Sequence, residues 1–356
     1  MTQASARIQR ARKLIISALE GEVTASVPFW LMRQAGRHLP EYRKLRLKAG
    51  SFLDLCFSPA MAAEATLQPV RRYDTDAAIL FSDILVVPYA LGQKLTFEDG
   101  EGPRLSSLKQ HLGSKKEALN FEYFDNKLAP VYETLRRIRE DLPAEKALIG
   151  FTGAPWTLAC YMLQGGGGDK EFADAREFAY ARPDIFDGLI ERLVEATSRY
   201  LIHQIRAGAD VAQIFDSWAG LLPGPFFERW VVQPTREIMR NVHREYPGFP
   251  VIGFPKGAGT YLSRYAQETG VTGLGLDTTT PLEDTVKTFG GKLCLQGNLD
   301  PAVLLAGGKT LKQEASRILE TAHKTPFIFN LGHGVMKQTP TANVAELSRI
   351  IKGFRR

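Results

Sequence analysis

Apolar and polar positions along this chain follow two periods in turn. Short apolar runs rich in β-branched and aromatic residues recur at 27–32, 76–81, 146–151, 210–215, 250–254, 273–276, 292–296 and 326–330. Each reads as a buried strand. Between most of them lie stretches of helical periodicity, among them SPAMAAEATLQPVRRY (58–73), DIFDGLIERLVEATSRYLIHQIRAG (184–208) and GKTLKQEASRILETAHK (308–324). Strand–helix alternation implies parallel strands joined by crossover helices. Some eight runs in one chain predict an α/β fold with a closed (β/α)8 TIM-type barrel rather than a smaller open sheet. Residues 91–125 match no barrel element and read as an excursion, with QKLTFEDGEGPRL as a candidate hairpin. No linker, repeat or shift in composition calls for a second domain, so 1–356 reads as a single catalytic-sized domain.

Composition sharpens this picture only modestly. At 356 residues and 44% hydrophobic content the chain can bury a large core. The formal charge of +6 comes from 45 basic and 39 acidic residues that are interspersed. That pattern favours acidic small molecules and argues against nucleic acid. Cys56, Cys160 and Cys294 lie far apart and form no metal-ligand pattern, so the chain carries no expected metal site or disulfide and fits a reducing compartment. No apolar stretch approaches the roughly 18 residues of a membrane span. The basic, amphipathic segment 6–22 has the look of a transit peptide but reads better as a retained first helix, which makes cytoplasm the expected location.

Candidate chemistry gathers just after the predicted strands, where a barrel places its active site. Arg33 and Arg37 follow the first, in PFWLMRQAGRHLPEYR. Asp83 follows the second, and TGAPWTLACY with Tyr161 the third. Ser217 follows the fourth, Lys256 the fifth and Asp277 the sixth. Asn298 follows the seventh and His333 the eighth. The two arginines, four apart, project from one face of a helix or tight turn, and their planar forks suit carboxylates. Gly36 allows close backbone approach, and Pro40 should end any helix soon after it starts. The same segment also reads as a solvated basic turn paired with Glu41. Asp83, between two apolar runs, suits a functional carboxylate or a helix cap. Tyr161 has core spacing, and His333 between glycines suits a turn. Ser217 lacks a nucleophile-elbow context, and Gly165–Gly168 lacks the spacing of a phosphate loop.

The motifs RQAGRHLPEYR, FSDILVVPYALG, GAPWTLACYMLQGGG, FDSWAG, QGNLDP and NLGHGV occur in order. Together they make the whole chain resemble the uroporphyrinogen decarboxylase family. The resemblance implies a distorted (β/α)8 domain, no cofactor, a homodimer and the conversion of uroporphyrinogen III to coproporphyrinogen III. It further implies Arg33 and Arg37 on substrate carboxylates and Asp83 on the pyrrole N–H groups. Tyr161, Ser217 and His333 become substrate contacts, with Gln34 and Ala35 contributing from the arginine loop. Arg33, Arg37, Tyr161 and His333 are the candidate proton donors, the arginines only with help from water. Trp218 and the Met336-Lys337 pair are small departures that flank the matched positions. Two other readings compete. A zinc- and corrinoid-dependent methyltransferase needs a His/Cys cluster, which His333 and the strand-borne Cys294 do not supply. A tetrapyrrole binder that does no chemistry has no use for a central carboxylate.

Overall fold

The computed structural model describes residues 13–98, 102–108, 120–165, 169 and 171–356. Its frame is a mixed α/β fold around a seven-stranded parallel sheet. Among the described residues the strands are β1 (Ala77–Ile79), β2 (Leu95–Glu98), β3 (Gly102–Leu105), β4 (Ala147–Gly153), β5 (Val211–Asp216), β6 (Val251–Pro255), β7 (Gly273–Gly275), β8 (Cys294–Leu299) and β9 (Phe327–Leu331). The sheet runs in the order β1-β4-β5-β6-β7-β8-β9, and β2 with β3 forms a separate antiparallel hairpin. All seven positions of β4 and all six of β8 are buried, as strands covered on both faces must be.

Seven of the eight predicted strands form in place. Segment 27–32 does not: it supplies a single parallel bridge, Phe29 to Phe329. Pro28 lacks an N–H, so it can only accept, from Phe329 N at 2.8 Å. Trp30 N reaches Phe329 O at 3.4 Å, and the donors on either side of it are taken by side chains. Phe29 N bonds Asp76 Oδ2 at 2.9 Å, Leu31 N bonds Gln34 Oε1 at 3.0 Å and Met32 N bonds Asn330 Oδ1 at 2.9 Å. On its other side Phe29 O accepts from Asp76 N at 2.9 Å, next to β1. Segment 28–30 therefore touches both ends of the sheet.

A buried polar chain shows how far the sheet curls. Trp30 Nε1 donates to Gln296 Oε1 at 2.9 Å, and Gln296 Nε2 donates to Gln213 Oε1 at 3.0 Å. Gln213 lies on β5 and Gln296 on β8, three strands apart, so these side chains meet across the interior rather than along the sheet.

The predicted helices form at Pro59–Tyr73, Pro183–Arg206 and Gly308–Thr321. Pro40 begins a helix, Pro40–Ala49, instead of ending one. At the first helical position the missing N–H would have been unpaired in any case, and the fixed φ suits the turn. The N-terminal helix covers Leu14–Leu19. Residues 6–12 of the amphipathic segment, and Gly166–Gly168 of the glycine run, lie outside the described residues. The excursion's hairpin docks on the far end of the helix Pro155–Gln164, where Leu105 N reaches Gly165 O at 2.8 Å and Gln93 Nε2 reaches Met162 O at 3.0 Å. No helix among the described residues is long and apolar enough to cross a membrane.

Candidate active site

The arginine loop is built by a turn closed by Gln34 N on Leu31 O at 2.9 Å. Its third residue, Arg33, has φ of 60°, a left-handed conformation that non-glycine residues hold at a cost of roughly 1–3 kcal/mol. Gln34 locks the loop from below. The side chain is 1% exposed, with Oε1 on Leu31 N and Nε2 donating to Ala77 O of β1 at 3.0 Å. Its amide is thus committed to the backbone. Ala35 is half-buried beside it, and Arg33 and Arg37 are exposed.

The two arginines do not share a helix face. Arg33 sits at the inner end of the loop, where Asp83, Tyr161 and His333 all feel its charge. Arg37 lies farther along, where Tyr42 feels it. Glu41 does not pair with either. It is held in a two-pronged ion pair by Arg72, Nε at 2.6 Å and Nη2 at 2.9 Å, which lowers its pKa and leaves the loop arginines available.

Asp83 orders the turn that follows it through one of its two oxygens. Oδ1 accepts from Leu85 N at 2.8 Å, fixing the turn into the helix Val86–Ala90. Among the described residues no hydrogen bond reaches Oδ2. The carboxyl is set among Cys56, Tyr161 and Tyr200, all of which feel its charge. Burial raises its pKa, and the Leu85 N–H and Arg33 pull it back down. A partly desolvated carboxylate with one free oxygen is a strong acceptor for N–H donors.

Tyr161 projects from the helix after β4 into an aromatic wall. It meets Phe172 edge-on at 5.2 Å and Trp218 at 6.3 Å between ring centroids, and burial raises its pKa. Ser217 is half-buried at the end of β5. His333 follows β9, and its pKa is lowered to about 4 by burial and by the nearby charges of Arg33 and Lys256. It is a neutral imidazole at neutral pH.

Two residues of the predicted ring serve the scaffold. Asn298 donates to Asp277 O at 2.9 Å and Thr280 O at 2.7 Å. Asp277 accepts from Gly257 N, Thr279 N and the Thr279 and Thr280 hydroxyls, which hold its pKa down against burial. Phe172 and Asp216 escaped the sequence reading, whereas Lys256 stands after its strand as read. Asp216 closes an apolar run, VAQIFD, which is the signal that singles it out in hindsight. It is fully buried, with Oδ1 accepting from Thr157 Oγ1 at 2.5 Å, Oδ2 unpartnered and its pKa raised to about 7 by burial.

A cleft of about 870 Å³ between the helices Pro183–Arg206 and Gln233–Glu245 differs in chemistry. Two of the arginines lining it are paired with carboxylates, Arg206 with Glu245 at 2.6 Å and Arg229 with Asp187. Among the described residues no cluster of three or more His, Cys, Asp or Glu side chains forms a metal-binding group.

The chain is similar over nearly its full length to proteins of known activity. The uroporphyrinogen decarboxylase family profile matches residues 10–354. A uroporphyrinogen decarboxylase from Rhodospirillum rubrum is 51% identical over 346 residues, covering 97% of this chain and 99% of that one. One from Granulibacter bethesdensis is 51% identical over 343 residues, covering 96% and 99%. Among solved structures, a methyltransferase from Methanosarcina mazei superposes with a TM-score of 0.78 at 20% identity, over 96% of this chain and 98% of that one. At that identity the likeness concerns the fold alone. The extent of the match to the decarboxylases shows that this chain belongs to the uroporphyrinogen decarboxylase family.

Proposed function

We propose that this chain removes the acetate carboxyl groups of uroporphyrinogen III to give coproporphyrinogen III, with Asp83 as the central acceptor. The observation that carries the reading is the state of Asp83: desolvated, anchored through Oδ1, open at Oδ2 and beside Arg33. The substrate brings inward pyrrole N–H donors and outward carboxylates, and the site offers a central carboxylate with cations on its rim. Ring protonation makes the pyrrole an electron sink, and the cation that develops is stabilised by the fixed Asp83 charge. Carbon dioxide then leaves with its bonding pair passing to the ring, the methylene carbon takes a proton to become a methyl group, and the proton added to the ring is released to restore the pyrrole.

Arg33 and Arg37 hold carboxylate arms. Tyr161, Ser217 and His333 contact the substrate, and the backbone at Ala35 does so from the arginine loop. Gln34 acts as a positioning residue, since its amide is bound to Leu31 and Ala77. His333, neutral at working pH, serves as a hydrogen-bond partner rather than as an imidazolium acid. Tyr161 keeps its proton for the same pH range, because burial raises its pKa.

The segment 28–30 takes the eighth place of a distorted (β/α)8 barrel, supported by its bonds to both sheet ends. The whole chain acts as one domain, as a homodimer in the cytoplasm and without a cofactor. The test is anaerobic turnover of uroporphyrinogen III by metal-stripped protein, with products oxidised and separated by carboxyl number. Stepwise loss of carboxyl groups is expected. Unchanged substrate in the presence of folded protein that binds it would sink the reading.

A further inference from the structure

Lys256 stands on the side of the site away from the arginine loop. In sheet order the segments leaving the strands carry Asp83, Tyr161, Ser217, Lys256, Asp277, Asn298 and His333. With Arg33 between the last and the first, Lys256 is four places from it in either direction. Its main chain is rigid. Lys256 N donates to Asp216 O at 3.0 Å, and Lys256 O accepts from Gly220 N at 3.0 Å. A Cβ on Gly220 would fall 2.7 Å from the Gly257 carbonyl carbon, so these two loops touch through backbone. The ammonium reaches out from this platform and lies 5.8 Å from the centroid of the Trp218 ring, part of the aromatic wall around Tyr161. His333 feels its charge together with that of Arg33.

No carboxylate among the described residues forms an ion pair with Lys256. The nearby Asp277 is saturated by Gly257, Thr279 and Thr280. The half-buried lysine is therefore a cation in need of an anion, in a site whose ligand carries carboxylates around its whole rim. We propose that Lys256 binds a carboxylate of the tetrapyrrole on the ring opposite the arginine loop and so fixes the macrocycle's rotation about Asp83. This rests on the decarboxylase reading. The carboxylate it grips is not the one reacting, because a cation there would stabilise the charged ground state more than the transition state in which that charge departs. Lys256 is thus a substrate-binding residue whose loss appears in KM and not in kcat.

The test compares Lys256→Met and Lys256→Arg with the unsubstituted protein, each checked for its melting temperature. KM for uroporphyrinogen III and Kd for coproporphyrinogen III, which keeps only propionates, are both measured anaerobically. A charged hydrogen bond of roughly 1.5–3 kcal/mol corresponds to about a 10- to 100-fold rise in KM for Lys256→Met. Lys256→Arg should restore most of it, and high salt should narrow the gap. A rise in both constants assigns a propionate, and a rise in KM alone assigns an acetate. KM and Kd unchanged in folded Lys256→Met, or a fall in kcat alone, would overturn the proposal. Product binding reads the lysine independently of turnover, so an unsubstituted protein that binds product but does not decarboxylate defeats only the decarboxylase reading.

Discussion

The Arg33 side chain lies directly across Gly334, and a Cβ on that glycine would sit 2.6 Å from Arg33 Cγ and 2.9 Å from Nε. The glycine of the GHG motif is the floor on which the arginine rests. Its φ is not in the left-handed region, so alanine there strains no backbone and acts only by displacing the side chain above. Gly334→Ala should raise KM by roughly tenfold, on the scale of one weakened charged hydrogen bond, while lowering the melting temperature by only a few degrees. Steady-state kinetics beside a thermal melt checks this. Wild-type KM in the variant would mean that Arg33 does not hold substrate in the pose seen.

Asp83→Asn keeps an oxygen at the Oδ1 position for Leu85 N, so the turn into the helix Val86–Ala90 should survive. What it removes is the negative charge. Turnover should fall by about 10²–10³-fold, the scale for deleting a preorganised electrostatic group. Near-normal turnover in the folded variant would end the central role given to Asp83.

Asp216 makes stability depend on pH. Its carboxyl has a pKa raised from 3.8 to about 7, so the folded state keeps the proton that the unfolded chain has released. The contribution is whole below pH 3.8 and declines as pH rises through 7, by up to about 4 kcal/mol at 1.36 kcal/mol per pKa unit. Asp216→Asn retains an acceptor for Thr157 but has nothing to ionise. Its melting temperature should therefore improve relative to the unsubstituted protein on going from pH 5 to pH 8. A difference between the two that stays flat with pH contradicts this.

His38 and His333 should remain neutral wherever the protein is active. Burial lowers both to about 4, helped at His333 by Arg33 and Lys256. Their contribution to stability is complete above the ordinary histidine pKa of 6.5 and is lost as pH falls toward 4. In a proton NMR titration of the six histidines, these two should show no step between pH 5.5 and 8. A midpoint near 6.5 for His333 would reopen its role as an acid.

The sheet was legible because buried parallel strands are written as short continuous apolar runs, and those at 146–151 and 326–330 became β4 and β9 with small shifts of boundary. The segment 27–32 carries the same apolar code, but its ladder donors are captured by Asp76, Gln34 and Asn330, the last almost 300 residues away. No local pattern reveals that capture. Pro40 starts a helix where the sequence suggested a stop, because a proline that ends one helix and a proline that begins the next look alike in a local pattern. At the site, residue types and order pointed to Arg33, Asp83, Tyr161 and His333. The split between Arg33 and Arg37, and the internal commitment of Gln34, depended on a turn with φ of 60° that the sequence does not announce.

The capture of those donors bears on how such a site diverges over evolutionary time. Where neighbouring strands hold a loop through backbone ladders, moving it means rebuilding a strand. Here a few backbone bonds are joined by three side-chain hooks, Asp76 on Phe29, Gln34 on Leu31 and Asn330 on Met32, each made by one residue. A single codon change at any hook can retune where Arg33 points while every residue that meets the substrate stays the same.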